Sequence, residues 1–311
     1  MGRIKSSILL VLLLLSACAS PLLDQTEQWQ SQLHAEHVLV GMVWDSQADS
    51  FIEVDELFSR IEGVSYLLLG EKHDNPDHHA LQLRIFDHVL QAGAVSAISF
   101  EMMNSDQQPL LRDMPLSRQS SLAQINEYLR WDNDAWNWDY YGPLLRRAIQ
   151  AGVLINAANI SNEEMMEVYG APTSVNIEGV LDEQAMEALD KDIDESHCGM
   201  LPKSQFPAMV RVQQARDFAM ANSLAVSKEQ QLQLLIAGNY HIRRDLGVPN
   251  YLLKRESSLE EGQIVSLAFM EVDEASSEPA DYLQQFGSVK AYDYIWFTPA
   301  VSDEDYCASL R

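Results

Sequence analysis

Apolar residues in this chain occur in two kinds of run. Some runs are short and continuous, while others recur every three or four positions. The clearest continuous runs are Ser65-Tyr66-Leu67-Leu68-Leu69-Gly70-Glu71-Lys72-His73 and Leu232-Gln233-Leu234-Leu235-Ile236-Ala237-Gly238-Asn239-Tyr240-His241. Both end in glycine with a histidine three residues later. Such runs read as strands buried on both faces, as in a parallel sheet. Further strands are expected at Val38 to Trp44, 94–100, 153–158, Ile264 to Met270 and Tyr292 to Phe297, with a weak strand pattern at 175–180. Helical spacing marks Val54 to Ile61 and 76–92. In the latter, Asn75 caps, Pro76 fits the first turn, and Leu81, Ile85 and Val89 with Phe86 and Leu90 form a stripe. Helices also follow at Tyr141 to Ala151, with Pro143 in the first turn, at Met209 to Val226 as a long amphipathic helix, and after Gly247-Val248-Pro249. Alternating strands and helices predict an α/β fold, a mostly parallel sheet flanked by helices with a smaller helical subdomain. Helical segments near 104–150 and 160–228 are expected to cap one edge.

Open α/β sheets place ligands at the carboxyl ends of their strands. Four predicted strands end in polar groups: Glu71 and His73, Glu101, Asn159, and His241. Two imidazoles with carboxylates suit a divalent metal held by His73, Glu101 and His241. They also suit acid–base catalysis by Glu71, His73, Glu101 and His241. Each side chain could instead cap a helix or bond a loop. His78 and His79 read as surface or rim residues, His34 and His37 as solvated, and His197 beside Cys198 matches no zinc pattern. Trp131, Trp136, Trp138, Tyr140 and Tyr141 form an aromatic cluster, suited to packing or to walling a planar ligand with a tyrosine on iron. Met102, Met103, Met165 and Met166 would widen such a pocket or fill gaps. Lys72, Arg243 and Arg244 flank the histidine motifs and are either solvated or available to ligand carboxylates.

Charge narrows the partners. The 311 residues carry 46 acidic and 21 basic side chains, a formal charge of −25. That balance argues against a nucleic-acid partner, because phosphate binding needs a basic surface. The N-terminus reads as a targeting segment. Arg3 and Lys5 precede an apolar stretch from Ile8 to Leu15, too short to span a membrane, which ends in Leu15-Ser16-Ala17-Cys18. Small residues before a cysteine resemble a bacterial lipobox, so 1–17 is expected to be cleaved and Cys18 lipidated. Cleavage removes two positive charges and takes −25 to −27. A plain signal peptide is the alternative. Residues 18–36 then form a tether and 37–311 the folded domain. No Asp follows Cys18, which points to an outer-membrane anchor facing the periplasm. The remaining Cys198 and Cys307 can form one disulfide in an oxidising compartment, or stay as thiols.

Gly-Glu-x-His-Asp-x-Pro-x-His-His at 70–79 resembles the ChaN-like haem-binding lipoproteins. So do Phe100-Glu101-Met102 with Gln107, Trp138 with Tyr141 and Pro143, Asn159, the loop at 197–202, and Gly238-x-x-His241 with Gly247-Val248-Pro249. The match runs from about residue 38 to the C-terminus, and the wider group includes Tiki proteases and erythromycin esterases. The resemblance implies a parallel α/β domain with a smaller helical subdomain, haem bound by a homodimer through a tyrosine, and a role in iron acquisition at the outer membrane. A separate reading is a non-catalytic partner of an outer-membrane receptor, with the cleft vestigial. Tyr141, Tyr140 and Tyr240 are the candidate iron ligands, and Lys72, Arg243 and Arg244 the candidates for the propionates. The wider group implies the alternative of a hydrolase acting on an ester or peptide bond in the same cleft.

Overall fold

The computed structural model describes residues 29–93, 95–112, 114–171, 177–224, 231–283, 285–305 and 307–308. The predicted signal peptide and Cys18 lie outside them. Among the described residues eight strands form one sheet. These are β1 (Val43–Asp45), β2 (Ser50–Ile52), β3 (Tyr66–Glu71), β4 (Val95–Asn104), β5 (Leu154–Asn159), β6 (Leu232–Gly238), β7 (Ile264–Glu271) and β8 (Tyr294–Thr298), in the spatial order β2-β1-β8-β7-β3-β6-β4-β5. From β8 to β5 all neighbours are parallel, while β1 runs antiparallel to both β8 and β2.

The helices are α1 (Val54–Ile61), α2 (Pro76–Gln91), α3 (Gln108–Arg112), α4 (Leu122–Leu129), α5 (Trp138–Ala151), α6 (Asn162–Gly170), α7 (Glu183–Ser196), α8 (Phe206–Ser223) and α9 (Val248–Arg255). They cover both faces, and this explains the continuous apolar runs. Along β3, Leu67 and Leu69 join a core with Ile85 and Phe86 of α2 and Leu144 and Leu145 of α5. Tyr66 and Leu68 point the other way, to Met220 and Ala221 of α8 and Val248 and Leu252 of α9. In β6, Leu234 and Ile236 divide from Leu235 and Ala237 in the same manner. Each fully buried Leu or Ile contributes about 2 kcal/mol of transfer free energy, so these two adjacent strands anchor the fold.

Several elements differ from the sequence expectation. Val38 to Gly41 form turns, and the strand begins only at Val43, because Gly41 adopts φ +82° and breaks the extended run. β4 continues three residues beyond Glu101, with a register shift between Phe100 and Asn104. Pro143 lies inside α5 rather than in its first turn, since the helix starts at Trp138 under the Asn137 cap. α8 is not one-faced. It is packed among α6, α7, α9 and β5, so its buried residues occur on several sides. Of the weak strand at 175–180, residues 177–180 form a turn and the rest lies outside the described residues. Residues 29–36, placed in the tether by sequence, are docked: Asp77 accepts hydrogen bonds from Gln30 N (2.8 Å) and Ser31 N (2.9 Å). Near 104–150, α3, α4 and α5 belong to the layer over the first face, whereas α6 and α7 pack on α8. A disulfide joins Cys198, just after α7, to Cys307 near the C-terminus.

Candidate functional site

Strand order places the site. The chain passes from β3 through α2 to β4 but leaves a gap that β6 later fills. β6 is therefore parallel to both, and three strand ends lie side by side. Glu71 pairs with Gly238, and Phe100 pairs with Ile236. His73, Glu101 and His241, far apart in sequence, consequently meet around Gly238. They line a cleft of about 550 Å³ together with side chains from α7, α8 and the loop after β6.

Glu71 is the hub of one half. Its Oε1 accepts from Tyr141 Oη at 2.6 Å and lies 2.9 Å from His73 Nδ1. Its Oε2 accepts from Gln82 Nε2 at 2.5 Å, with His79 Nδ1 3.3 Å away but out of hydrogen-bond alignment. Burial pushes the Glu71 carboxyl up, but His79, His73 and Tyr141 outweigh it and hold the group below the usual range. Burial depresses His73, yet Glu71 and Glu101 reverse this and leave its imidazole above the ordinary value. The Glu71 contact fixes His73 through Nδ1. Its Nε2 makes no hydrogen bond among the described residues, and 39% of the side chain is exposed.

The other half is a clamp on His241. Its Nδ1 lies 2.6 Å from Asp217 Oδ1, and its Nε2 lies 3.3 Å from Glu101 Oε1. Glu101 Oε2 accepts from Gly238 N at 2.7 Å. Burial opposes the imidazolium, but two carboxylates more than compensate and raise His241 well above its ordinary value. Burial would also raise Glu101, but His241, His73 and the Gly238 amide hold it well below the carboxylate range. Asp217 is pushed up by burial, which His241 offsets only in part. Gly238 is the seam between the halves. A Cβ there would lie 3.1 Å from His73 Nε2 and 3.6 Å from Glu101 Oε2.

The metal expectation is not supported by this arrangement. Among the described residues no group of three or more His, Cys, Asp or Glu is disposed to hold a metal ion. The physical reason is internal pairing: carboxylates engage both nitrogens of His241, and His241 and Gly238 engage both oxygens of Glu101.

Other candidates are distributed unevenly. Tyr141 is buried, and its hydroxyl is committed to Glu71; burial and that carboxylate raise its phenol far above the ordinary value, which disfavours a phenolate. Tyr140 stacks on His79 at 4.7 Å. Tyr240 lines the cleft and is 46% exposed. Lys72 lies 2.9 Å from Glu271, and Arg243 forks onto Asp245 at 2.9 and 2.7 Å with a further bond to Asp192. Arg244 does not reach the cleft. It bonds Asp293 and the carbonyl of Ile264, at the opposite end of β7. Asn159 ends an edge strand and lines a separate groove. His78 and His79 are buried rather than at the surface. His78 accepts from Lys72 N and contacts Thr298, so it braces the turn after β3, and burial pushes its pKa well below the ordinary value. Met102 and Met103 are core residues, whereas Met166 is exposed.

Sequence reasoning missed three participants, Gln82, Asp217 and Arg216. A signal existed for two of them: Gln82 stands one turn before Ile85 and Phe86, and Asp217 one turn before Met220 and Ala221, so each is a polar residue in line with buried apolar ones. Arg216 carries no such signal.

The class defined so far is a mostly parallel α/β protein with an imidazole–carboxylate cleft at the carboxyl ends of its central strands. The family described as haem-binding uptake, Tiki superfamily, ChaN matches residues 57–252, more than half of the chain, and the protein belongs to that family. A solved structure showing cofacial haem binding to ChaN of Campylobacter jejuni is similar at 22% identity, covers 82% of this chain and 95% of that one, and has a TM-score of 0.67, which shows a common fold. A succinoglycan biosynthesis protein (10% identity, 70% and 69% coverage, TM-score 0.41) and an erythromycin esterase mutant in its open conformation (13% identity, 70% and 72% coverage, TM-score 0.39) are more distant. No curated protein sequence matches the chain.

Proposed function

We propose that this protein binds haem in the cleft and serves haem or iron uptake, held at the periplasmic face of the outer membrane by lipid on Cys18. Family membership supports the ligand class. The observation that carries the reading is His73, fixed through Nδ1 by Glu71 while its Nε2 is left without a hydrogen bond at the cleft. Orienting an imidazole through its second nitrogen is how proteins prepare a metal ligand. Haem, if bound, would supply an iron that His73 Nε2 could ligate. Tyr240, half exposed at the same cleft, is the second donor; Tyr141 is not, because its hydroxyl is spent on Glu71. Leu189, Ile193, Leu246 and Phe269 give the cleft apolar wall for a porphyrin. A homodimer is part of the reading, since the ChaN structure from Campylobacter jejuni is one of cofacial haem. A receptor in the outer membrane would be the delivering partner.

The test uses soluble protein lacking residues 1–18. Hemin titration should give a saturable Soret band, altered by His73→Ala or Tyr240→Phe and unchanged by Tyr140→Phe. Non-saturable uptake, or a spectrum indifferent to both His73 and Tyr240, defeats the proposal. In the full-length protein, Cys18→Ser should abolish palmitate labelling and release the chain from the membrane fraction.

A second reading, hydrolysis of an ester or peptide, is favoured by the same Glu71–His73 pair. In this reading His73, whose pKa is raised by Glu71 and Glu101, would serve as the general acid, since His241 is clamped at both nitrogens. Turnover of an ester or peptide panel that disappears in His73→Ala would support it, and silence across the panel would remove it.

A further inference from the structure

The cleft is rich in carboxylates, and its cations are almost all matched. Lys72 pairs with Glu271 and Asp74, Arg243 with Asp245 and Asp192, His73 with Glu71, and His241 with Asp217 and Glu101. Arg216 is the exception. On α8 it follows Gln213 by three residues, a spacing that puts both on one helical face, and both line the cleft. Its neighbour Asp217 directs its carboxylate to His241. Among the described residues the Arg216 guanidinium has no ion pair. Its Nη2 lies 3.7 Å from Met165 Sδ, and its Nε is buried without a hydrogen-bond partner.

A guanidinium cannot shed its proton and carries five N–H donors in a planar fork. Leaving the buried Nε–H unmet costs free energy that an anionic ligand accepting from that edge of the fork would recover. A carboxylate matches the fork, and the charge-assisted pair is about twice as strong as a neutral hydrogen bond. With a formal charge of −25 the protein repels anions at long range, so a ligand anion must be held by direct contact rather than by steering.

We infer that Arg216 receives a carboxylate of the ligand bound in the cleft, in place of Lys72, Arg243 and Arg244. The ligand class is an apolar planar molecule bearing a carboxylate. On the haem reading above, which supplies the ligand's identity but not the role of Arg216, this is a propionate.

Two acid–ester pairs test the inference: hemin against its dimethyl ester, and 1-pyrenebutyrate against its methyl ester. Wild-type protein should bind each acid about tenfold more tightly than its ester, a ratio set by one charge-assisted contact. Arg216→Gln should bring both ratios to about one by weakening the acids alone, and Arg216→Lys should keep part of the preference. Circular dichroism and a thermal melt establish that the variants fold. If hemin fails to bind while pyrenebutyrate keeps its Arg216-dependent preference, the haem reading falls and the role of Arg216 stands. Equal binding of acid and ester by wild type, a preference that survives Arg216→Gln, or no binding of either pair overturns the inference.

Discussion

Glu71 and Gly238 face each other across neighbouring parallel strands, and that pairing determines what can stand between the two imidazoles. On one side His73 leans towards the Gly238 Cα, and on the other Glu101 accepts the Gly238 amide. Hydrogen at this position lets both halves of the site close over the strand end.

Gly238→Ala tests the seam. The added methyl would lie 3.1 Å from His73 Nε2 and 3.3 Å from its Cε1, tighter than ordinary contact. The half-exposed imidazole can yield, so stability should fall by about 1 kcal/mol or less. Ligand binding should fall by about tenfold, as misplacing a site by fractions of an ångström does. Hemin titration alongside urea unfolding separates the two effects; unchanged affinity would show that His73 is not held at the ligand.

The His241 clamp carries a pH signature. Its pKa is raised in the folded state, so its contribution is fully present below the unfolded value of about 6.5 and is lost as pH rises through the folded value. Glu101 is depressed, so its contribution is present above about 4.3 and is lost as pH falls through the folded value. His241→Gln should cost about 3–5 kcal/mol near neutrality, because it leaves buried carboxylates unpaired. It should also flatten the alkaline decline relative to wild type. Urea unfolding across a pH series measures both, and parallel curves would contradict the charge assignment.

Tyr141→Phe removes the buried donor to Glu71. The loss of a hydrogen bond to a charged group should cost about 1.5–3 kcal/mol. Glu71 should also titrate at higher pH, since Tyr141 is one of the groups that depress it. The Soret maximum of the hemin complex should keep its position, in contrast to Tyr240→Phe. Denaturant melts and absorption spectra of both variants make the comparison.

The Cys198–Cys307 bridge spans 109 residues. Closing so long a loop restricts the unfolded chain, and its removal should cost about 2–5 kcal/mol. Cys198→Ser with Cys307→Ser, unfolded in urea beside wild type, gives the difference, and a mobility change between reduced and unreduced gels reports the bridge itself.

Much of this was legible before the fold. β3 and β6 stand out because burial on both faces removes the usual alternation, and their terminal glycines mark where each strand meets the cleft. Asn75 with Pro76 announced α2, since the side chain caps two amides at its start. The antiparallel edge was not legible, because β1 and β2 have three residues each and carry too little pattern. Arg243 and Arg244 could not be distinguished either. Adjacent in sequence, they are drawn to opposite ends of β7 by Asp245 and Asp293, acids whose positions depend on the loops around them.

From the sequence alone came the α/β class, the two glycine–histidine strand ends and the family, since each rests on local runs of residues and their spacing. Tertiary structure alone decided that β6 lies between β3 and β4, that Asp217 and Arg216 come in from α8, and that Asn159 is left at the edge. Strand order and helix placement follow from pairings across more than a hundred residues, which no local pattern encodes.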